Sequence, residues 1–335
     1  MKPISRRTFL LGSATAVAGA AAAASAGDWL RRAPAPWDHS AFPPPGEARV
    51  AVLRATSYDR GLEEIVAGGL QAIGVDVRGA SVVLKPNLVE VREGVPINTD
   101  PRLVAAAVLS LRRLGASSVT VAEGPGHRRD TKYVRAQSGF DEALRGLDAR
   151  FVDLNTDSLV QRKLSSSFTS LGSLWLPRTI VEADVVISMP KMKTHHWAGA
   201  TLSLKNCFGC VPGRVYGWPK NVLHFAGIEP AIIDVAAAVR PRYAIVDGIV
   251  GMQGNGPITG IPAKAGVLLF GDDPVATDVI AATLMGIDPS RLGYLAQASR
   301  FLGQGDRARI RTEGEDVDRA VVPFDLIPQF ASLRG

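Results

Sequence analysis

Short runs of aliphatic, often β-branched residues alternate along this chain with segments whose apolar residues recur at helical spacing. This alternation is typical of parallel strands joined by right-handed helical crossovers, because a parallel pair needs a long connection. We therefore predict one α/β domain over residues 49–330, with a doubly wound, mostly parallel sheet and helices on both faces. A small subdomain inserted at residues 194–227 is a further hypothesis. The predicted strands are Val50–Leu53, Ser81–Leu84, Val119–Val121, Asp184–Met189, Ala244–Val246 and Gly266–Phe270.

Charged and amide side chains follow these strands at the point where each strand ends. Lys85 and Asn87 follow one strand, Glu123 follows another, and Met189-Pro-Lys-Met-Lys-Thr-His-His196 closes a third. Because the carboxyl ends of parallel strands share one edge of a sheet, we expect these side chains to converge there. Capping does not explain the lysines, since a cation is disfavoured at a helix N-terminus. The alternative is that the lysines are surface residues covering apolar groups. The pattern therefore predicts a site for an anionic ligand.

The predicted site residues fall into a binding group and a proton-handling group. Ammonium and amide groups would hold and orient the anion. The binding residues are Lys85, Asn87, Lys191, Lys193, Thr194, Lys205 and Asn206. His195, Asp247 and Glu123 are the predicted catalytic residues, because imidazole and carboxylate groups transfer protons.

A divalent metal ion is a second hypothesis for the same edge, with Asp247, Asp273 and His196 as its ligands. His195 and His196 are adjacent, so at most one of them is expected to point into the site. Asp272 and Asp273 precede Pro274, and capping of the following helix is the simpler explanation for them.

Cys207 and Cys210 form a Cys-x-x-Cys pair and are the only cysteines in the sequence. Three interpretations remain open: small buried residues, a disulfide or redox pair, and a metal site shared with a nearby histidine. A standard iron–sulfur cluster needs four thiolates, so this chain alone is not expected to hold one.

The first residues resemble a twin-arginine export signal, Ser5-Arg-Arg-Thr-Phe-Leu10. An apolar stretch follows, and Ala24-Ser-Ala26 fits a small-residue cleavage site. We predict a signal peptide over residues 1–26, a proline-rich linker over 27–48, and export of the folded protein by the twin-arginine machinery to the periplasm or another extracytoplasmic site. An uncleaved anchor is the alternative, but the stretch is weakly hydrophobic and short for a membrane span.

The predicted location and the charge exclude several classes of function. ATP and reduced nicotinamide are scarce outside the cytoplasmic membrane, which counts against a kinase or a nicotinamide-dependent dehydrogenase. The formal charge is +6, and without the three basic residues of the first 26 it falls to 35 basic against 32 acidic residues, or +3. The sequence has no basic run interleaved with aromatic residues, so we predict no nucleic-acid partner.

In combination, the motifs at these positions resemble those of the domain of unknown function 362 (DUF362) family. Many relatives in that family carry a fused ferredoxin-like segment with repeated Cys-x-x-Cys units, which this sequence lacks, so the resemblance implies no iron–sulfur chemistry here. It implies an α/β fold and the importance of the strand-end residues, but no particular reaction. The matching stretches are Lys85-Pro-Asn87, Asn98-Thr-Asp-Pro101, Glu123-Gly-Pro-Gly126, Met189-Pro-Lys-Met-Lys-Thr-His195, Leu204-Lys-Asn206 with Gly209 to Gly213, Val246-Asp-Gly-Ile-Val-Gly-Met252 with Gly254-Asn-Gly-Pro257, and Asp273-Pro-Val-Ala276 with Asp278.

A second similarity concerns the order of strand, Asp/Arg turn, helix, strand and Gly-x-His-Arg, which runs here from Thr99 to Arg128. Nickel-dependent hydroxy-acid racemases show a similar order. We interpret it as a similarity between two α/β proteins rather than as shared chemistry. Shared chemistry would make His127 a proton-transfer base and one of the lysines a cofactor attachment point.

The leading hypothesis is an exported enzyme that acts on a small carboxylate- or phosphate-bearing ligand, with or without a metal. A non-catalytic anion- or metal-binding protein is the competing hypothesis. A redox partner that uses Cys207 and Cys210 is the third.

Overall fold

The computed structural model describes residues 35–126 and 130–334, which build a mixed sheet with helices packed on both of its faces. The predicted α/β class with a mostly parallel sheet is confirmed. The predicted signal peptide, the start of the predicted linker and His127 lie outside the described residues. The strands are β1 Ala48–Arg54, β2 Ser81–Pro86, β3 Ser118–Glu123, β4 Arg150–Asp153, β5 Leu159–Lys163, β6 Ser173–Pro177, β7 Val185–Met189, β8 Lys191–His195, β9 Gly199–Thr201, β10 Tyr243–Gln253, β11 Ile261–Ala263, β12 Val267–Gly271 and β13 Ile310–Gly314.

The helices are short except for those that cover the sheet. The α-helices are α1 Leu62–Ala72, α2 Pro101–Arg113, α3 Thr131–Gln137, α4 Phe140–Ala143, α5 Arg178–Val181, α6 Ser203–Asn206, α7 Gly213–Tyr216, α8 Asn221–Phe225, α9 Ile228–Val239, α10 Pro274–Leu284 and α11 Gly293–Ala298. Further 3-10 turns lie at Cys207–Cys210, Pro289–Arg291, Arg307–Arg309 and Pro328–Leu333.

The main sheet follows the order β13-β1-β12-β10-β7-β2-β3-β4, and β8, β9 and β11 extend from β10. β2 pairs in parallel with both β3 and β7, so Val83 lies opposite Thr120 on one side and Val186 on the other. The carboxyl ends of these parallel strands therefore meet at one edge, as the sequence predicts. β5 and β6 form a separate antiparallel pair.

Within the main strand order, β12 runs against its neighbours. β12 is antiparallel to both β1 and β10, with Val246 opposite Leu269. The chain from the end of β10 to the start of β12 contains no helix, and parallel pairing would require a long crossover. This reversal carries the residues that follow β12 to the opposite edge of the sheet from the residues that follow β2 and β3.

Two apolar cores lie on the two faces of the sheet. Val82 packs toward α1 and α2, whereas the next residue, Val83, packs toward α9 and α10, as the alternation of side chains along a strand requires. Asp100 caps α2 by accepting a hydrogen bond from the Arg102 amide at 2.9 Å, and Pro101 occupies the first helical position. Each fully buried leucine in these cores contributes roughly 1.5–3 kcal/mol relative to an exposed one.

The start of the described chain lies on the core around α9. Trp37 forms a β-bridge with Ser166, and its ring stacks on Phe301 at a centroid distance of 4.7 Å. Asp234 of α9 holds the same region by accepting hydrogen bonds from Ser166 and Thr169. Within residues 35–126 and 130–334, no helix has both the length and the apolar character needed to cross a bilayer.

Candidate functional site

A cleft of about 160 Å3 opens at the carboxyl ends of β2 and β3, beside β8 and α6. We call it the lysine cleft. Ligand sites for drug-sized molecules typically exceed about 300 Å3, so this volume favours a small ligand. Its polar lining residues include Asn87, Glu123, Lys193, His195, Lys205, Asn206 and Lys220.

The floor of the lysine cleft is a buried ion pair between Lys85 and Glu123. The Lys85 ammonium also donates to the carbonyl of Pro86 at 2.8 Å and to Asn206 Oδ1 at 3.1 Å. Gly209 lies directly against the pair, and a Cβ at this position would collide with both side chains. The charges of Lys85 and Glu123 at the floor are therefore fully paired within the protein.

Lys193 of β8 is held just as completely, but by neutral acceptors. Its ammonium donates to Asn87 Oδ1 at 2.6 Å and to the carbonyl of Ile97 at 2.8 Å. Burial, followed by repulsion from Lys205 and Lys191, lowers the pKa of Lys193 well below its usual value. An anion in the cleft would favour the charged form of this side chain.

His195 ends β8, and its ring has a defined tautomer. Nδ1 lies 3.0 Å from the Trp197 amide and 3.2 Å from the Ala198 amide, so it accepts from both. In the neutral ring this leaves the proton on Nε2. Burial, followed by the charge of Lys205, lowers the pKa of His195 well below 6.5. His195, which lines the cleft, can therefore act as a neutral hydrogen-bond donor through Nε2.

Lys205 of α6 differs from the other lysines because its amine has no hydrogen-bond partner among residues 35–126 and 130–334. The side chain is half-buried, and Nζ lies over the face of Phe208, 3.8 Å from the ring centroid. Burial, followed by repulsion from Lys220 and Lys85, lowers the pKa of Lys205 to about 7. This amine therefore loses its proton more readily than an exposed lysine does.

Lys220, which the sequence analysis missed, completes the cleft. It is buried, and its ammonium donates to the carbonyls of Gly124 at 3.1 Å and Phe208 at 2.9 Å. Its backbone is left-handed, with φ of 67°, which is uncommon for a side chain of this kind. Burial lowers the pKa of Lys220 to about 8, and repulsion from Lys85 adds to the effect. Its only signal in the sequence is a lysine within an otherwise apolar and glycine-rich stretch.

The lysine cleft has an excess of positive charge. Glu123 is the only acidic residue that lines it in the part of the chain that the structure describes, and Lys85 already neutralises that carboxylate. Lys193, Lys205 and Lys220 have no carboxylate partner of their own among the described residues. A bound anion would supply the missing countercharge.

Two residues predicted for this site pair with each other instead, and Lys191 lines a neighbouring cavity. β8 pairs with β10 so that Lys191 lies opposite Asp247. The Lys191 ammonium is 2.6 Å from Asp247 Oδ2, and the Tyr58 hydroxyl donates to Oδ1 of the same carboxylate at 2.7 Å. The Asp100 amide also donates to this carboxylate, at 2.9 Å. Lys191 and Asp247 therefore neutralise each other, and neither lines the lysine cleft.

The structure does not bring the three predicted metal ligands together. β12 is antiparallel, so Asp273 lies at the other edge of the sheet from Asp247 and caps α10, accepting from the amides of Val275 and Ala276. His196 is occupied through Nδ1, which lies 2.7 Å from the carbonyl of Gly256. No group of three or more potential ligands from His, Cys, Asp and Glu that could hold a metal occurs in the described residues.

The remaining predicted residues have structural partners. Thr194 is buried and donates to the carbonyl of Gly254 at 2.8 Å, away from the cleft lining. Cys207 and Cys210 are free, buried thiols in a 3-10 turn behind the cleft. Burial raises the pKa of Cys210 to about 12 and that of Cys207 well above its usual value. Both thiols are therefore protonated at neutral pH, so neither is activated as a nucleophile.

The chain is similar to a protein family and to a protein of Synechocystis sp.. A family model described as Domain of unknown function (DUF362) matches residues 82–283. Thylakoid-associated protein sll1697 of Synechocystis sp. is 30% identical over 264 residues, which cover 75% of this chain and 79% of the relative.

Two solved structures show weaker similarity. The lactate racemase apoprotein from Thermoanaerobacterium thermosaccharolyticum aligns with 17% identity and a TM-score of 0.41, over 68% of this chain and 55% of that one. A protein from Thermotoga maritima aligns with 12% identity and a TM-score of 0.33, over 64% of this chain and 56% of that one. The chain thus spans little more than half the length of either solved structure.

Proposed function

The chain belongs to the DUF362 family, and on that premise we propose that it is an enzyme acting on a small anionic ligand in the lysine cleft. The observation that carries the proposal is the unbalanced charge of the cleft: Lys193, Lys205 and Lys220 surround a small cavity whose one carboxylate is already paired. Buried charges that lack a partner of opposite sign are costly, and they occur mainly at binding and catalytic sites.

The arrangement supports catalysis as well as capture. A pure anion trap needs positive charge, which Lys193 and Lys220 can supply at the cleft wall. Lys205 adds an amine that changes protonation state near neutral pH, and His195 adds a neutral N–H donor. These two groups can transfer a proton to a ligand or stabilise negative charge that develops on it during a reaction. Non-catalytic binding is the competing function.

The proposal is tested by calorimetry with glycolate and inorganic phosphate at pH 8, in Tris and in triethanolamine. Either probe should take up protons as it binds, because a nearby anion raises the pKa values of Lys205 and Lys220 from about 7 and about 8. The binding enthalpy should therefore differ between the two buffers. Lys205→Met should reduce the proton uptake, and the exposed-site control Lys264→Met should not change it. The proposed anion site is wrong if neither probe binds the native protein.

Catalysis is separated from plain binding by proton NMR of small hydroxy, oxo and amino acids incubated with the protein in D2O. An enzyme should change the spectrum of at least one acid, whereas a binding protein should return all of them unchanged. Replacing His195 with alanine should slow the change more than it weakens binding.

We propose further that the protein is exported, on the evidence of the twin-arginine motif and cleavage site in residues 5–26. The Synechocystis relative is named as thylakoid-associated, which is compatible with a location outside the cytoplasm.

A further inference from the structure

The amine of Lys205 stands out from every other lysine amine in and around the lysine cleft. Lys85, Lys193 and Lys220 each donate to three oxygen atoms, so their amines are fixed in place. Lys191 is fixed by Tyr58 and Asp247. No described residue accepts a hydrogen bond from Lys205, whose side chain is half-buried at the cleft wall.

The position of Lys205 is well defined although its amine is free. The side chain lies against the face of Phe208. Its helix, α6, begins at Ser203 and Leu204, whose amides donate to the buried carboxylate of Asp278 at 2.7 Å and 3.0 Å. An amine that is positioned but not hydrogen-bonded can reach a ligand without first breaking contacts within the protein.

A lysine that is desolvated and near other cations is an activated nucleophile, because a larger fraction of its amine is neutral. Lys220 and Lys85 are the nearby cations that repel a proton on Lys205. The positive charges of the neighbouring lysines can attract a carboxylate, and the small cavity limits the ligand to a few heavy atoms. The reactive group on such a ligand must be an electrophile that an amine can attack.

We infer that Lys205 forms an imine with the carbonyl group of a short oxo acid, whose carboxylate is attracted by the positive charges of Lys193 and Lys220. This inference rests on the proposed anion site and names its substrate class. The neutral amine attacks the carbonyl carbon, a C–N bond forms, and the carbonyl electron pair moves to oxygen, which takes a proton from the nitrogen. The hydroxyl oxygen then takes the second proton of the nitrogen, relayed through solvent, as the C–O bond breaks, so one water molecule leaves and the nitrogen lone pair completes the C=N bond. His195 can donate its Nε2–H to the oxygen during these steps.

The experiment uses the native protein, glyoxylate and sodium cyanoborohydride at pH 7. The reductant converts an imine to a stable secondary amine, which mass spectrometry of peptides locates. We expect one modification per chain, at Lys205. An ordinary lysine has a pKa near 10.4, so Lys205, at about 7, should react on the order of 1,000-fold faster than the exposed Lys264.

Two controls isolate the chemistry. Lys205→Arg keeps a positive charge but cannot form an imine, and it should lose the label. Lys264→Arg should retain the label at Lys205. Glycolate, which has the same carboxylate but no carbonyl group, should bind and protect Lys205 without being trapped itself. Because the peptide map is made on the native chain, the result does not depend on the folding of any variant.

The outcomes separate the two proposals. Labelling that is spread over exposed lysines, or that survives in Lys205→Arg, overturns the imine. If glycolate binds with proton uptake and glyoxylate is not trapped, the anion site stands and the imine is wrong. If neither acid binds and nothing is trapped, both proposals are wrong.

Discussion

Lys205 and Lys85 lie in the same cleft but have opposite electrostatic surroundings. Lys85 has the carboxylate of Glu123, whereas Lys205 has an aromatic ring and two neighbouring cations. Protonation of Lys205 is therefore less favourable in the folded protein than in the unfolded chain. This difference makes the stability of the protein depend on pH.

Stability should rise with pH above neutrality. Between about 7 and the usual lysine value near 10.4, the unfolded chain keeps a proton that folded Lys205 has lost, so the free energy of unfolding increases with pH by up to about 1.4 kcal/mol per unit. Lys205→Met should remove this share of the increase. Urea denaturation at pH 7 and pH 9 measures it, with Lys264→Met as the control. If the native protein, Lys205→Met and Lys264→Met showed the same change in unfolding free energy between pH 7 and pH 9, the assigned environment of Lys205 would be wrong.

The sequence predicts many residues of the lysine cleft, but it does not predict how strand pairing and loop conformation place Lys191 and Lys220. Lys85, Asn87, Glu123 and Lys193 converge as the strand-end rule predicts, and Lys205 and Asn206 join them from helix α6. Lys191 obeys the same rule but is neutralised by Asp247, because the pairing of β8 with β10 places them opposite each other. Lys220 comes from a loop, and no periodicity in the sequence indicates which way a loop lysine points.

At the scale of elements, the four-residue helix α6 depends on a distant residue for its N-terminus. Asp278 of α10 accepts from the amides of Ser203 and Leu204, in the manner of a cap supplied from outside the helix. The sheet-covering helix α10 thereby fixes the turn that carries Lys205. The geometry of the cleft is thus coupled to the core on one face of the sheet.

Asp278→Asn should disturb the cleft as well as the fold. The amide nitrogen of asparagine would face a backbone N–H, and an unsatisfied buried donor costs about 1–3 kcal/mol. We expect a lower melting temperature and a slower cyanoborohydride labelling of Lys205. Asp273→Ala, which removes the cap of α10 at the other edge of the sheet, should lower stability by about 0.5–2 kcal/mol without slowing the labelling. Equal labelling rates in both variants would contradict the positioning role of Asp278.

The direction of β12 marks the limit of what the pattern of elements could predict. The strand itself is evident as an apolar run, and the mostly parallel sheet follows from the helices between strands. Whether two successive strands run the same way depends on the connection between them, and the segment from 254 to 266 has no apolar periodicity that predicts a helix or its absence. The hypothesis that Asp247 and Asp273 share one metal site assumed that β10 and β12 are parallel, whereas they are antiparallel.

At the scale of the whole molecule, export as a folded protein is the remaining prediction. Replacing Arg6 and Arg7 with lysine should retain the chain in the cytoplasm, because the twin-arginine pair is the feature that the export machinery reads. Cell fractionation followed by immunoblotting measures the effect. As a control, Lys2→Gln, which lies outside the pair, should still allow export. Unchanged export of the double-lysine variant would contradict the assigned route.

The placement of β1 also bears on when this fold can be completed. In the sheet, β1 lies between β12 and β13, with Val50 opposite Gly271 on one side and Thr312 on the other. A growing polypeptide that has not yet emerged from the ribosome beyond residue 266 offers β1 neither of these neighbours. Closure of the sheet must therefore wait until synthesis is nearly finished, so the molecule matures after translation rather than during it.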